Sequence, residues 1–242
     1  MPFSDLRRSF LCAVLLCNSL AFAQVVTVSA HVVLANDKPR GKSIQAGSAV
    51  VWLSPDDGPA PSPAKIPGTS HPRLTQRNKS FEPHLLVIPV GSVVEFPNRD
   101  PFFHNVFSLF EGKRFDLGLY EAGSTREVTF SKPGISYIFC NIHAEMSAVV
   151  IALDTPYYGI SNQHGDVVIP NVPLGHYTLR VWHEDALPET LNSMARPITV
   201  SESTSTLGIL RIAAAGLPHN HKNKYGRDYD PPAPDNPAYQ HP

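Results

Sequence analysis

Residues 136–146 read SYIFCNIHAEM and join a short strand pattern to a loop that carries three possible metal ligands. Cys140, His143 and Met146 follow the pattern C-x2-H-x2-M. A thiolate, an imidazole and a thioether are donors that suit copper as it cycles between Cu(I) and Cu(II). One further imidazole would complete a set of two His, one Cys and a distant Met. His104, at the start of another predicted strand, is the obvious candidate.

The N-terminal residues have the pattern of a secretory signal peptide. Arg7 and Arg8 give a basic start, residues 10–20 form an apolar run too short to span a bilayer, and Ala-Phe-Ala at 21–23 is a cleavage site. We therefore predict that residues 1–23 are removed and that the mature chain is periplasmic or secreted. The rest of the sequence predicts no integral membrane segment.

Of the three cysteines, Cys140 is the one that lies outside the predicted signal peptide. Cys12 and Cys17 lie in the signal peptide, so the mature chain offers Cys140 no partner for an internal disulfide. Such a cysteine is a buried bystander, an intermolecular partner, a ligand or a nucleophile. The His and Met that follow it favour a ligand. The Met disfavours zinc, whose sites use harder or thiolate donors, and the sequence shows no sign of the orienting group and oxyanion hole of a cysteine hydrolase.

Length and composition exclude several classes of protein. The chain has 242 residues, a length typical of one or two domains. Lys plus Arg number 20 and Asp plus Glu number 21, so the basic excess of a nucleic-acid-binding protein is missing and we expect no nucleic-acid partner. The 24 prolines disfavour a helical bundle and favour short strands joined by turns. We therefore predict an all-β fold.

The β patterns fall into separate groups along the mature chain. Residues 24–54 contain two strand patterns, residues 73–155 contain six closely spaced ones, and residues 156–215 contain four more. The prolines within residues 55–72 predict an extended linker. Residues 216–242 have no apolar run that could offset the entropy of ordering, which predicts a disordered tail. Three histidines fall in that tail and are expected to be solvated: His219, His221 and His241.

The segment around the loop ligands resembles a cupredoxin of the plastocyanin and amicyanin type. The matching stretches are FEPHL at 81–85, VGSVVEF at 90–96, HNV at 104–106 and FSKPGISYIFC at 130–140. The resemblance covers roughly residues 73–153, and the His-x2-Met ending is closest to the short ligand loop of amicyanin. It implies a Greek-key β-sandwich that holds one type 1 copper.

The resemblance also implies a complete ligand set and its support. The implied copper ligands are His104, Cys140, His143 and Met146. The backbone N–H of Asn105 is expected to donate to the Cys140 sulfur, while the Asn105 side chain braces the ligand loop.

The residues on either side of Cys140 distinguish this sequence from multicopper oxidases. Multicopper oxidases flank the equivalent cysteine with histidines that lead electrons to further coppers, whereas Phe139 and Asn141 flank the cysteine here. Oxidase chemistry is therefore not expected. Two interpretations of Phe102 and Phe103 stay open: they are core residues, or together with Ala144 they form an apolar docking surface.

The flanking β patterns resemble a carboxypeptidase-regulatory or transthyretin-like β-sandwich. Residues 28–53 are similar to its opening hairpin, and residues 165–181 are similar to its later strands. Together the two resemblances imply that the cupredoxin-like part is inserted in, or adjacent to, this second sandwich.

We therefore expect an exported protein that carries one type 1 copper and passes single electrons between redox partner proteins, without transforming a substrate. Two alternatives stay open. One is a copper carrier or storage protein, and the other is an exported β-sandwich that binds a partner or glycan while its copper is structural.

Overall fold

The computed structural model describes five parts of the chain: residues 24–35, 48–58, 71–109, 112–215 and 221–229. The predicted signal peptide, most of the predicted linker, His219 and His241 lie outside the described residues. Within them the chain is an all-β sandwich protein, as the proline content and the strand patterns predict. The described residues include no helix with the length and apolar character needed to cross a bilayer.

The described residues form sixteen strands and one short helix. In chain order the elements are β1 Val25–Ala35, β2 Val50–Pro55, β3 Thr75–Arg77, β4 Ser80–Glu82, β5 Leu85–Pro89, β6 Val93–Pro97, β7 His104–Ser108, β8 Phe115–Tyr120, β9 Thr125–Thr129, β10 Gly134–Phe139, β11 Ser147–Leu153, β12 Tyr158–Ile160, β13 Asp166–Pro173, β14 Gly175–Trp182, α1 Pro188–Ser193, β15 Arg196–Val200 and β16 Thr206–Ala213.

The strands between residues 75 and 153 pair among themselves. Five of them form one sheet in the order β5-β11-β10-β7-β8, and β3–β4 and β6–β9 form two-stranded sheets. Their inward side chains build a buried cluster that includes Cys140 and Met146. The sequence predicts six of these strands with small differences at their ends, but not β3, β4 or β8.

Strand β11 is buried on both faces. The even-numbered residues of 148–152 belong to the cluster that contains Cys140. The odd-numbered residues of 149–153 belong to another cluster, which contains Val50 and Trp182. Because side chains alternate across a strand, one uninterrupted apolar run serves both clusters.

The N-terminal strands pair with strands from the C-terminal part of the chain. Strand β1 lies between β13, which is antiparallel to it, and β16, which is parallel. Strand β2 lies between β12 and β14, and β15 extends that sheet. Their buried side chains, which include Val28, Leu53 and Leu179, form a further cluster. The chain therefore leaves these two sheets after β2 and returns to them at β12; the domain boundaries and the transthyretin-like assignment stay predictions.

Polar contacts also join the two groups of sheets. The Trp182 Nε1–H donates to the Tyr137 hydroxyl at 3.4 Å. His84 Nε2 lies 2.6 Å from Glu184 Oε2. Tyr137 belongs to β10 and His84 directly precedes β5, whereas Trp182 ends β14 and Glu184 follows it by two residues.

Residues 221–229 belong to the predicted tail and contact the end of β10; the disorder of the tail as a whole stays a prediction. The ring of His221 stacks on Phe139 with the ring centroids 4.2 Å apart. The Tyr229 hydroxyl donates to the carbonyl oxygen of Cys140. The prediction considered apolar content alone, whereas this segment is held by aromatic and hydrogen-bonding contacts.

Candidate metal centre

Three side chains converge where β7 and β10 meet the loop before β11. His104 is the first residue of β7, Cys140 directly follows β10, and His143 lies in the ligand loop, residues 140–146. The Cys140 Sγ lies 3.7 Å from His104 Nδ1 and 3.5 Å from His143 Nδ1. All three donor atoms lie within 4.8 Å of one another. The structure therefore brings together three of the four predicted ligands.

Met146, the fourth predicted ligand, is buried in the same cluster as Cys140. The Cys140 N–H donates to the Met146 carbonyl oxygen at 3.2 Å, and the Met146 N–H donates to the His143 carbonyl oxygen at 3.2 Å. These bonds hold the two ends of the ligand loop together. The role of the Met146 thioether as a ligand stays a prediction.

The outer nitrogen of His104 is held by a carboxylate that the sequence analysis did not single out. His104 Nε2 lies 2.8 Å from Asp100 Oδ2, and both side chains are buried. The same carboxylate accepts the backbone N–H groups of Asn78 and Lys79 at 2.6 and 2.9 Å. Because an ionised carboxylate only accepts, His104 Nε2 carries the hydrogen and Nδ1 is free to bind a metal.

The hairpin between β3 and β4 explains how the two backbone donors reach Asp100. Asn78 and Lys79 form its turn with φ angles of 53° and 54°. These left-handed conformations present two successive N–H groups to one carboxylate. In the sequence, Asp100 stands in the turn pattern of residues 98–101, four residues before His104, and that pattern alone indicates only a turn.

Burial keeps both imidazoles neutral. Burial, with smaller contributions from the neighbouring His104 and Lys79, lowers the pKa of His143 to about 4, although Asp100 acts in the opposite direction. Burial also lowers the pKa of His104, although the hydrogen bond to Asp100 acts in the opposite direction. At neutral pH both rings are therefore in the uncharged form that binds a metal.

Burial raises the pKa of the Cys140 thiol, although the backbone N–H groups of Asn105, Ile142 and His143 act to lower it. The metal-free cluster thus holds a protonated thiol at neutral pH. Metal binding would displace this proton, since the thiolate is the ligand form. Metal affinity should consequently depend on pH.

The donor set fits a soft transition metal. Bonds of about 2.3 Å to sulfur and about 2.0 Å to nitrogen allow an S···N separation of up to about 4.3 Å around one ion. Both measured separations are shorter than this limit. One thiolate, two imidazoles and a weak thioether are the set typical of blue copper sites.

Another group of possible ligands lies on the surface. It consists of His71, Glu95 and Glu127, and its members are more exposed than the Cys140 cluster. The Arg73 Nε lies 2.6 Å from Glu95 Oε2, so a resident cation already neutralises that carboxylate. This group is a poorer candidate for a metal site.

Asn105 directly follows His104 on β7. Its backbone N–H faces the Cys140 sulfur and acts to lower the thiol pKa. The Asn105 Nδ2 donates to Asp116 Oδ1 at 2.7 Å, and Asn105 Oδ1 is buried with no hydrogen-bond partner among the described residues. The bracing of the ligand loop by this side chain stays a prediction. Asp116 lies on β8, one of the three strands in this part of the chain that the sequence analysis did not predict.

The residues of the predicted docking surface lie around the histidine ligands. The Phe102 ring is half-buried, with its centroid 5.2 Å from the His104 ring and 5.7 Å from the His143 ring. Phe103 is 57% exposed and is therefore not a core residue. Ala144 is half-buried. Their role in docking stays a prediction.

Some solved structures of copper proteins are similar to part of this chain. The sequence matches no protein-family model and no curated relative. A copper-containing nitrite reductase from Thermus scotoductus SA-01 is 27% identical over 40% of this chain, with a TM-score of 0.34. The chain spans only 25% of that reductase.

Two smaller solved structures are also similar to this chain. A purple cupredoxin from Nitrosopumilus maritimus is 23% identical, covers 34% of this chain and is itself covered over 99%, with a TM-score of 0.32. A reduced amicyanin variant is 19% identical, covers 43% of this chain and is covered over 98%, with a TM-score of 0.33.

Proposed function

We propose that this chain is an exported type 1 copper protein that passes single electrons between redox partner proteins. The observation that carries the proposal is the buried cluster of Cys140 Sγ, His104 Nδ1 and His143 Nδ1, with sulfur-to-nitrogen separations of 3.5 and 3.7 Å. A bound copper would supply a one-electron couple between Cu(I) and Cu(II).

The chain's own residues contribute a dry and rigid set of donors. Cys140 is fully buried at the end of a central strand. His104 is fixed in ring orientation and tautomer by Asp100. His143 is held by the ligand loop, which backbone hydrogen bonds close. Since these groups have little freedom to move, both oxidation states would meet the same donors, and this favours fast electron exchange.

The half-buried His143 is the ligand through which electrons would reach a partner. Exposed Phe103 directly precedes His104 and half-buried Ala144 directly follows His143, so both would supply apolar area for contact beside the ligands. The protein would act as a carrier rather than an enzyme, because its copper would exchange an electron with a partner without transforming a substrate.

Copper binding is tested by adding Cu(II) to the purified metal-free protein. We expect an intense visible band from charge transfer between thiolate and copper. Cys140→Ser should abolish it, whereas His164→Ala, at an exposed turn, should leave it unchanged. A band that survives in Cys140→Ser, or no band in the wild-type protein, would refute the assignment.

Voltammetry and a Cu(I) chelator separate the three possible roles of copper. An electron carrier should show a reversible one-electron wave and should retain its copper against the chelator. Ready loss of copper without a reversible wave would instead support a copper carrier. Retained copper without a reversible wave would support a structural role for the metal.

A further inference from the structure

Residues 221–229, here called the C-terminal strap, contact the start of the ligand loop. The Tyr229 hydroxyl donates to the carbonyl oxygen of Cys140. The Lys224 backbone N–H donates to Asn141 Oδ1 at 2.9 Å. The strap is thus bonded to Cys140 and to the residue that follows it.

The strap also covers the residue before the thiol. The His221 ring stacks on the Phe139 ring with an interplanar angle of 28°. The Tyr229 ring meets the His221 ring edge-on, with the centroids 5.2 Å apart. These stacked rings place an aromatic layer beside the strand end that carries Cys140.

A second set of contacts leads from the strap to the sulfur through β8. The Lys224 Nζ lies 2.7 Å from Asp116 Oδ2. The other oxygen of this carboxylate accepts the Asn105 Nδ2–H at 2.7 Å. The backbone N–H of Asn105 faces the Cys140 sulfur. Lys224 therefore supports Asp116, and Asp116 fixes the residue whose N–H faces the sulfur.

The position of the Tyr229 bond gives it a structural consequence. Strand β10 ends at Phe139, so the Cys140 carbonyl lies where the regular ladder of backbone bonds stops. A buried carbonyl needs a donor, and the Tyr229 hydroxyl supplies one. The loop ends are otherwise tied by the two backbone bonds among Cys140, His143 and Met146.

We propose that Tyr229 and Lys224 are positioning residues of the candidate metal centre, and that the strap keeps the ligand loop closed in the metal-free protein. The structural content of the proposal is that the strap restricts opening of the loop around Cys140, which does not require copper. Its consequence is slower loss of copper, and this part rests on the proposed function.

The structural content is tested by labelling Cys140 with iodoacetamide in the metal-free full chain and reading its peptide by mass spectrometry. Labelling requires the loop to open, so its rate follows the opening equilibrium. Tyr229→Phe removes one hydroxyl and Lys224→Met removes one charge. Each should raise the rate about two- to tenfold, as expected for the loss of one hydrogen bond.

Two lysine controls are available. Lys222, in the strap, pairs with exposed Asp228 at 3.4 Å, and Lys132 lies at an exposed turn outside the strap. Lys222→Met and Lys132→Met should therefore label at the wild-type rate. Wild-type rates in both Tyr229→Phe and Lys224→Met, or equal increases in the controls, would overturn the inference.

Copper retention provides the second measurement. The copper-loaded Tyr229→Phe protein should keep its charge-transfer band and should lose copper to a Cu(I) chelator about two- to tenfold faster than wild type. A wild-type protein without the band would refute the proposed function, while the labelling comparison still decides the role of the strap. Unchanged labelling with a normal band would refute the strap and leave the proposed function standing.

Discussion

Asp100 connects a turn of the backbone to a metal ligand. Burial acts to raise the pKa of this carboxyl, but the hydrogen bonds from the Lys79 backbone, the His104 ring and the Asn78 backbone together lower it. The carboxyl is therefore ionised at neutral pH and accepts from three donors at once. It transmits the position of the β3–β4 turn to the imidazole that faces Cys140.

Asp100→Asn should weaken copper binding about 10- to 100-fold, the usual effect of losing a group that orients a metal ligand. The amide has a single acceptor oxygen, so its NH2 group must face either the His104 Nε2–H or a backbone N–H. Affinity is measured by competition with a chelator. Asp154→Asn, at an exposed position, is the control, and an unchanged affinity in Asp100→Asn would contradict the role assigned to the carboxylate.

Some residues of the candidate site could be predicted from the sequence, whereas others act through contacts between distant parts of the chain. Cys140 and His143 lie on one loop, so their spacing alone places their donors close together. Asp100 acts through the 78–79 turn and Tyr229 through a segment far along the chain. Neither contact has a local pattern, because each depends on how distant elements pack.

The apolar run of β11 predicts a strand that is buried on both faces, but it does not identify the residues that cover those faces. Residues 147–153 have the predicted strand bounds. A strand without alternating polar residues must be covered on both faces. The identity of the covering residues, the Cys140 cluster on one side and the Trp182 cluster on the other, depends on tertiary packing.

Strand β8 shows the opposite case. Its sequence, FDLGLY over residues 115–120, interrupts the apolar pattern with Asp116 and Gly118. Gly118 has a φ of +68°, and the pairing with β7 has a register shift there. The residues that obscure the strand pattern include Asp116, which bonds Asn105 and Lys224.

Ile151→Ala should destabilise the protein by about 2–5 kcal/mol, because it leaves a cavity in the cluster around Trp182. The stability is measured by urea unfolding. Val168→Ala, at an exposed position of β13, should change it by less than about 0.5 kcal/mol. The folded fraction of Ile151→Ala should keep the charge-transfer band, since Ile151 faces away from the cluster that contains Cys140. Equal stability in the two variants would contradict the two-faced burial of β11.

The strands between residues 75 and 153 carry the candidate metal centre. The two sheets that contain β1 and β2 are built from both ends of the described chain. The all-β class was predictable from composition and strand patterns. The return of the chain to its first sheets at β12 was expected only from resemblance. The Trp182 cluster and the His84–Glu184 contact join the two groups of sheets.

The His84–Glu184 contact should make part of the stability depend on pH. The hydrogen bond to Glu184 raises the pKa of His84, burial opposes this, and the Ser147 carbonyl oxygen adds to the increase. Nδ1 lies 3.0 Å from that carbonyl oxygen and Nε2 lies 2.6 Å from the carboxylate. Because both ring nitrogens face acceptors, the folded protein favours the doubly protonated, charged ring.

The stabilisation from this pair is therefore fully present below the unfolded pKa of His, about 6.5, and is lost as the pH rises through the higher folded pKa. Its size should stay below about 1 kcal/mol, because the His84 side chain is half exposed and solvent screens the pair. Urea midpoints between about pH 5.5 and about pH 8.5 should show a difference between wild type and Glu184→Gln that shrinks as the pH rises. Glu145→Gln, at an exposed position of the ligand loop, should follow the wild-type curve throughout. A difference between wild type and Glu184→Gln that is constant with pH, or that grows as the pH rises, would contradict a charged His84 at this junction.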